Sequence, residues 1–404
     1  MPPRFSLRDV VARKAVRAVN FLSRFSSRGS GTVIGGRVGL AIAPELLSSL
    51  SRERDVVLVS GTNGKTTTTA MIAAGWGGAV ATNDTGSNMP AGHVAALVAA
   101  RSASVVLEVD ESWLDSVARS TNPRVITLLN LSRDQLDRAN EVRRIAERWR
   151  GMLSRLPTTT VVANANDPLV VYAAQSARDV AWCDVPTPWT TDAVSCPHCT
   201  KAIHFGDDSW WSDCGFSKPT EIATALRHGL VVRGTPLALE LALPGAFNEA
   251  NAAMALTALS YVGADLPDAL ARVNAISSVA GRFSLREWQG HHLRLLLAKN
   301  PAGFSAMLET IAADDSDVWV AINARVADGH DPSWLYDVPF ESLRGHLVFC
   351  FGDRRLDLAT RLEYANVDYV VVHDESMLAA STAPIAVLAN YTAFQEWRAR
   401  SSAC

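Results

Sequence analysis

The chain has 404 residues, which is enough for two or three domains that each bury a sizeable core. Its net charge of −3 gives no support for nucleic-acid binding as the main function. No apolar run approaches the ~18 residues that span a membrane, so the composition is that of an ordinary globular protein.

The first predicted element is a helix in an N-terminal segment, residues 1–50, which we expect to pack on the central domain. Arginines recur along this segment, and it has no apolar signal core, so we expect a cytoplasmic protein. A surface helix is one interpretation, and a basic face near anionic lipid at the inner face of the membrane is the other. The apolar residues at helical spacing are Leu7, Val11, Ala15, Ala18 and Leu22.

A phosphate-binding loop follows the first predicted strand, residues 56–60. Glycines let backbone N–H groups turn toward phosphate oxygens, and a helix N-terminus adds the positive end of its dipole. Lys65 can reach the outer phosphates of ATP, and the Thr66 hydroxyl can ligate Mg²⁺. Val59 stands where the general pattern has glycine, so we predict a variant loop. The loop residues are Gly61, Thr62, Asn63, Gly64, Lys65, Thr66 and Thr67.

Three further strands are predicted at residues 105–111, 124–130 and 159–164, and each ends in polar residues. Strands spaced ~20–35 residues apart, with helical segments between them, indicate βαβ units and a parallel sheet. Ligands of such sheets bind beyond the carboxyl ends of the strands. The polar residues should therefore surround one nucleotide.

The amino-acid composition changes between about residues 181 and 219, where cysteines, prolines and paired tryptophans indicate an inserted ribbon. Cys196, Cys199 and Cys214 offer three thiolates to zinc, but Trp211 stands where a second Cys-x-x-Cys pair would begin. A zinc-free hairpin held by the tryptophans is the alternative. The fourth zinc ligand is left open among Cys183, His198, His204 and Asp213.

Four more apolar strands are predicted at residues 293–297, 318–322, 347–351 and 369–373, and they indicate a second α/β domain. The predicted fold class is α/β: a central parallel sheet with the phosphate-binding loop, residues 51–279, a ribbon insertion within it, and a C-terminal α/β domain, residues 280–404.

Taken together, these motifs resemble the Mur ligase superfamily, whose members activate a carboxylate with ATP and then form an amide. C-terminal segments 297–304, 327–337 and 361–365 resemble its MurT subfamily, the ligase subunits of MurT–GatD lipid II isoglutaminyl synthases. The resemblance covers nearly the whole chain beyond about residue 30. Its central motifs are the glycine loop, Glu108, residues 133–138, residues 166–168 and residues 243–252.

The resemblance implies a Mg²⁺ site at Thr66 and Glu108, with Asp110 and Glu111 as competing carboxylates. It also implies nucleotide contacts from four residues that each have a plainer alternative. Asn248 and Asp167 are suited to capping a helix or forming a turn, and Arg282 to an exposed linker. The implied nucleotide contacts are Asp167, Asn248, Asn251 and Arg282.

A further implication concerns a partner chain. In the family, an aspartate of the C-terminal domain completes a Cys-His-Asp triad in a GatD-like glutaminase subunit, where it orients the histidine. The chain offers Asp328, Asp331 and Asp337; we place Asp331 first and Asp337 second. With Lys65 and Glu108, these two are the predicted catalytic residues.

We therefore expect an ATP-dependent carbon–nitrogen ligase that works as a heterodimer with the glutaminase. It would amidate the D-glutamate α-carboxylate of the lipid II stem peptide to D-isoglutamine through an acyl phosphate. Two other functions stay open: a stand-alone Mur-like ligase joining an amino acid to a carboxylate, and a nucleotide-binding scaffold without turnover.

Overall fold

The computed structural model describes residues 5–25, 32–83, 87–133, 139–187, 189–279, 282–312, 317–374 and 384–403. The chain divides into two compact units. Unit 1 comprises residues 1–131, 140–242 and 248–276, and unit 2 comprises residues 132–139, 243–247 and 277–404. Among the described helices, none is both long enough and apolar enough to cross a bilayer.

Unit 1 is built on a nine-stranded sheet, because its β-branched runs bury both faces between helices. The strands are β1 (Asp55–Ser60), β2 (Val80–Thr82), β3 (Ser104–Glu108), β4 (Val125–Leu128), β5 (Thr160–Asn164), β6 (Asp179–Asp184), β9 (Ile222–Ala225), β10 (Leu230–Val232) and β11 (Thr235–Leu237), with β7 (Ile203–Phe205) and β8 (Trp210–Ser212) outside the sheet. Their order is β11-β10-β9-β6-β5-β4-β1-β3-β2. Strands β1 to β6 and β9 are parallel to one another, and β10 and β11 are antiparallel. The predicted parallel sheet is confirmed.

Helices cover both faces of this sheet and bury its central strands. They are α1 (Leu7–Phe25), α2 (Thr32–Ile42), α3 (Leu46–Ser51), α4 (Lys65–Trp76), α5 (Pro90–Ala99), α6 (Leu114–Thr121), α7 (Ala139–Leu153), α8 (Pro168–Ala174), α9 (Ala246–Tyr261) and α10 (Leu266–Asn274). α1 packs on α2, and α2 packs closely on α5. A Cβ added at Gly36 would lie 1.8 Å from the Ala91 carbonyl oxygen, so only glycine allows this approach.

The cysteine-containing insertion folds as a small ribbon around the β7–β8 hairpin. Its core is Cys196, Ile203, Trp210 and Phe216, which pack against Val171 of α8. The Trp210 indole N–H donates to the Ala165 carbonyl oxygen at 3.0 Å. The predicted ribbon is therefore present and is anchored to the sheet by a buried tryptophan.

Unit 2 is a seven-stranded sheet in which five consecutive strands, counted from one edge, are parallel. The strands are β12 (Phe283–Trp288), β13 (His291–Leu297), β14 (Asp317–Ala321), β15 (Leu347–Phe351), β16 (Asp368–Val371), β17 (Ile385–Ala389) and β18 (Ser402–Ala403), in the order β16-β15-β14-β17-β13-β12-β18. The helices are α11 (Pro301–Ala312), α12 (Arg355–Ala365) and α13 (Tyr391–Arg400). The predicted C-terminal α/β domain is confirmed, and its most buried strand, β17, is one that the sequence did not reveal.

Candidate nucleotide-binding site

The phosphate-binding loop joins the end of β1 to the start of α4. Gly61 and Gly64 adopt φ values of 145° and 86°, which favour glycine and fold the loop back toward the helix axis. The first N–H groups of an α-helix have no acceptor within the helix itself, so the start of α4 is suited to bind an anion. Val59, the departure from the general pattern, is fully buried in β1, and the loop begins only at Gly61.

Asn130, which follows β4, clamps this loop from the neighbouring strand. Its side-chain Oδ1 accepts from the Asn63 N–H at 2.9 Å, and its Nδ2 donates to the Asn63 carbonyl at 3.0 Å. Its own carbonyl accepts from the Thr62 N–H at 3.0 Å. The loop is therefore held by three hydrogen bonds from one residue, which sequence reasoning missed because an asparagine after a strand is a common turn former.

Lys65 is nearly buried, and its ammonium group lies over the loop. Nζ donates to the carbonyls of Gly61 at 2.5 Å and Thr62 at 3.2 Å, and to Glu111 Oε1 at 2.7 Å. Burial raises the pKa of Glu111, and the Lys65 charge opposes that rise. Glu111 thus supplies the negative charge that the lysine faces, at the position where anionic phosphates are expected.

Glu108 and Thr66 bring two oxygen atoms together on the other side of the loop. The Thr66 hydroxyl donates to Glu108 Oε2 at 2.8 Å. Asp110, a competitor in the sequence, instead accepts from the Ser112 N–H at 3.0 Å. A hydroxyl and a carboxylate are ligands that Mg²⁺ prefers, so the predicted pair fits a magnesium ion.

Two buried residues fix the backbone of Glu108, and neither was found from sequence. Asn83 accepts from the Glu108 N–H and donates to its carbonyl, both at 2.9 Å. His93 Nε2 donates to the same carbonyl at 2.8 Å. Burial lowers the pKa of His93 to about 4, so the ring is neutral and carries its proton on Nε2. Both residues position Glu108 through its backbone.

Asn251 of α9 lies against the loop. A Cβ added at Gly64 would be 2.4 Å from Asn251 Oδ1, which places that amide directly over the turn. Asn248 lies one helical turn earlier and is also buried. The structure thus brings Asn251 to the loop, and the base contact of either asparagine stays a prediction.

Asp167 has a structural task that accounts for its carboxylate. It caps α8 by accepting from the N–H groups of Leu169 at 2.9 Å and Val170 at 3.1 Å, and it accepts from the Leu131 N–H at 2.7 Å. Only 4% of the residue is exposed. The capping alternative is therefore what the structure shows, and a nucleotide contact stays a prediction.

Arg282 lies just before β12 in unit 2, and its predicted contact with phosphate stays a prediction. Gly281 and residues 134–138 of the predicted motif lie outside the described residues. Arg133, the first residue of that motif, has its Nη2 at 3.8 Å from Asp337 Oδ2.

The three candidate aspartates of the C-terminal unit differ in what they contact. Asp328 accepts from both the N–H and the hydroxyl of Thr392, and so fixes the loop after β14. Asp337 faces Arg133. Asp331 is exposed and accepts from the Ser333 N–H at 2.9 Å. The Ser333 hydrogen bonds lower the pKa of Asp331, so it is ionised at neutral pH.

In the ribbon, the sulfur atoms of Cys196, Cys199 and Cys214 lie within 4.8 Å of one another. The Ser212 hydroxyl lowers the pKa of Cys199 to about 7, which favours the thiolate that binds metals. The candidate fourth ligands are engaged elsewhere in the described structure. Cys183 bonds Thr257, His204 lies 3.3 Å from Asp213, and His198 packs edge-on against Tyr172 and Phe216.

The glycine loop on a parallel sheet, with Lys65, Thr66 and Glu108 around it, defines the class of protein: an α/β nucleotide-binding protein with a P-loop. Residues 59–259 match the Mur ligase middle domain, and residues 297–394 match the MurT ligase C-terminal family. The MurT subunit of a lipid II isoglutaminyl synthase (glutamine-hydrolyzing) from Streptococcus pneumoniae is 26% identical over 97% of each chain. The MurT subunit of the same kind of synthase from Staphylococcus aureus strain COL is also 26% identical, over 92% of this chain and 90% of that protein.

Solved structures agree on the fold. A pseudomurein peptide ligase type C from Methanothermus fervidus has a TM-score of 0.66 at 18% identity, over 88% of this chain and 80% of that one. A MurF ligase from Thermotoga maritima in complex with ADP has a TM-score of 0.61 at 14% identity, over 89% of this chain and 82% of that one. The chain belongs to the Mur ligase family of ATP-dependent ligases and carries a MurT-type C-terminal domain, which confirms the resemblance seen in its motifs.

The buried carboxylate of Asp167 predicts a specific pH dependence of stability. Burial raises its pKa in the folded protein from 3.8 to about 6, so the folded chain binds a proton that the unfolded chain lacks between these values. Stability should therefore fall by up to about 3 kcal/mol as the pH rises through this window. Asp167→Asn keeps a capping oxygen but does not titrate.

We expect the free energy of unfolding of Asp167→Asn, relative to wild type, to increase by about that amount from the acid to the neutral end of the window, measured by urea unfolding. If the difference in the free energy of unfolding between Asp167→Asn and wild type does not change with pH, the three N–H donors hold the pKa of Asp167 near its ordinary value.

Proposed function

We propose that this chain is the ATP-dependent subunit of an amidotransferase that converts the D-glutamate α-carboxylate of the lipid II stem peptide to the amide of D-isoglutamine. The observation that carries the proposal is the set of Lys65, Thr66 and Glu108 around the loop, in a chain similar over 97% of its length to a relative named as a subunit of such a synthase. A nucleotide-binding scaffold that does not turn over ATP would not need this lysine, hydroxyl and carboxylate together.

Thr66 and Glu108 would hold Mg²⁺, which neutralises phosphate charge and orients the transferred phosphoryl group. Lys65 would exchange Glu111 for the outer phosphates of ATP, and the first N–H groups of α4 would bind the inner ones. Asn130 would keep the loop in its binding conformation before ATP arrives. These contacts would place positive charge beside the negative charge that develops on the phosphate oxygens during phosphoryl transfer.

The reaction divides into two balanced steps. A carboxylate oxygen of the D-glutamate attacks the γ-phosphorus of ATP, so that the acyl phosphate forms and ADP leaves. Ammonia then attacks the acyl carbon, inorganic phosphate leaves, and a proton is released as the amide forms. Lys65 stabilises charge in the first step, and the second step needs a source of ammonia.

A GatD-like glutaminase chain in a heterodimer would be that source. Asp331 is the aspartate suited to act in a partner, because it is exposed and ionised while Asp328 holds a loop. Tyr336 and Tyr364 are 56% and 73% exposed, with ring centroids 6.3 Å apart on the same unit. Exposed tyrosines of this kind dominate many protein interfaces. We assign Asp331 to the orientation of the partner's catalytic histidine.

The experiment that tests this proposal combines the chain, a GatD-like glutaminase, lipid II, ATP and either glutamine or ammonium. The amide product is read by mass spectrometry. Asp331→Asn should abolish glutamine-driven amidation and spare ammonium-driven amidation, because the histidine of the partner loses its orienting carboxylate. Asp317→Asn, on β14, serves as a matched control.

Equal glutamine use by wild type and Asp331→Asn would move the assignment to Asp337. Joining of an amino acid to the carboxylate by a peptide bond, without a partner chain, would instead favour a stand-alone ligase.

The two carboxylates near the loop should differ sharply in their effect on turnover. Glu108→Gln removes a proposed Mg²⁺ ligand and should lower kcat at least about 100-fold. Glu111→Gln removes only the group that competes with phosphate for Lys65, so ATP should bind at least as tightly as to wild type. Steady-state phosphate release with lipid II and ammonium, measured over a range of ATP concentrations, gives kcat and the KM for ATP of both variants. An equal loss of kcat in Glu111→Gln would transfer the metal assignment to Glu111.

We also propose that Cys196, Cys199 and Cys214 hold a structural zinc ion whose fourth ligand comes from outside the three thiolates. Trp211→Cys should restore the second Cys-x-x-Cys pair and make zinc markedly harder to remove by a chelator. Cys199→Ala should lose the ion. Zinc content by mass spectrometry of the reduced protein measures both, and absence of zinc from wild type and Trp211→Cys alike would contradict the assignment.

A further inference from the structure

Helix α1 presents an apolar stripe to solvent. Leu7 and Leu22 are 81% and 65% exposed, and Val10 and Val11 are also exposed. These positions lie within one half of the helix circumference, since residues three, four, seven and eleven apart share a face. A stripe of large apolar side chains on one surface of a helix is a feature that needs a partner.

In the part of the chain that the structure describes, these four side chains are not part of the core. α1 packs on α2, α3 and α5 through its opposite face, where Asp9, Ala12 and Val16 are buried. Asp9, the helix's one acidic residue, accepts hydrogen bonds from Ser6 and Ser49 on that buried side. The inner face therefore holds the helix in place, and the apolar stripe of the outer face is exposed to solvent.

The charge on the outer face has a single sign. Arg8, Lys14 and Arg17 are exposed, and Arg8 and Arg17 flank the apolar stripe on its two sides. An apolar stripe bordered by cations matches the boundary between acyl chains and anionic headgroups of a bilayer. An anionic bilayer surface matches both features at once, since its acyl boundary accepts the stripe and its headgroups accept the cations.

We propose that α1 docks the chain on an anionic membrane surface, with the helix in the plane of the interface and the stripe in the acyl boundary. The helix has 19 residues, and its buried face stays on the protein, so the chain rests on the bilayer without crossing it. The inference does not depend on the proposed function, although docking there would bring the chain to a lipid-linked substrate.

Co-sedimentation of the full chain with vesicles tests the proposal. Wild type should bind vesicles that contain phosphatidylglycerol and should not bind vesicles of phosphatidylcholine alone. The triple variant Leu7→Ser, Val11→Ser, Leu22→Ser should bind at least about tenfold more weakly, because it removes the inserted groups. Arg8→Gln with Lys14→Gln should also weaken binding about tenfold and reduce its sensitivity to salt.

Leu356→Ser is the matched control, because Leu356 on α12 is also 61% exposed. It should bind vesicles as wild type does. All substituted side chains are exposed, so circular dichroism and Mg·ATP binding should match wild type and separate this test from that of the proposed function.

Vesicle binding that is unchanged in the triple variant would overturn the proposal. The proposal would also be overturned if wild type does not bind vesicles but forms dimers, and the triple variant is monomeric. The stripe would then contact a second copy of the chain.

Discussion

The site depends on one constraint: a lysine that is nearly buried must face negative charge. The side chains of Lys65 and Glu111 are only 10% and 15% exposed, and their charged atoms lie 2.7 Å apart. Leaving one member of such a pair unmatched costs several kcal/mol, about 3–5 in typical cases. In the proposed mechanism, the phosphates of ATP replace the Glu111 carboxylate, so that the lysine still faces negative charge. The pair therefore keeps the loop ready to exchange one anion for another.

The rest of unit 1 holds this loop in register. β1 lies between β3 and β4 in the parallel sheet, so the residues that follow all three strands meet at one edge. Asn130 after β4 and Glu108 at the end of β3 reach the loop from either side. Asn83 and His93 fix Glu108 in turn. A shift in strand register would separate these groups, because each of them stands at the end of its own strand.

Much of this arrangement could be predicted from sequence, because its signals are local. The strand at residues 56–60, its glycine turn and Lys65 are adjacent in the chain, and the parallel sheet follows from the spacing of apolar runs. β17 was missed because its alanines make a weak strand signal, although it lies at the centre of its sheet. Asn130, Asn83 and His93 were missed because their partners are distant in sequence.

The candidate aspartates illustrate the same limit. A single motif contains Asp328, Asp331 and Asp337, and the sequence alone gives each the same chemistry. The structure separates them by their contacts, since Asp328 binds the backbone of a distant helix, Asp337 faces an arginine and Asp331 lies exposed. Asp167 was predicted to contact the nucleotide, but its carboxylate already accepts hydrogen bonds from three backbone N–H groups of the protein.

The most direct measurement is calorimetric titration of the full chain with Mg·ATP, beside Lys65→Met, in which a flexible apolar side chain of similar length replaces the ammonium. The account predicts saturable binding to wild type that the substitution weakens by at least about tenfold, because a charge-assisted contact of roughly 1.5–3 kcal/mol is lost. Well-folded wild-type protein that takes up no adenine nucleotide, or a Lys65→Met variant that binds it equally well, would contradict the account.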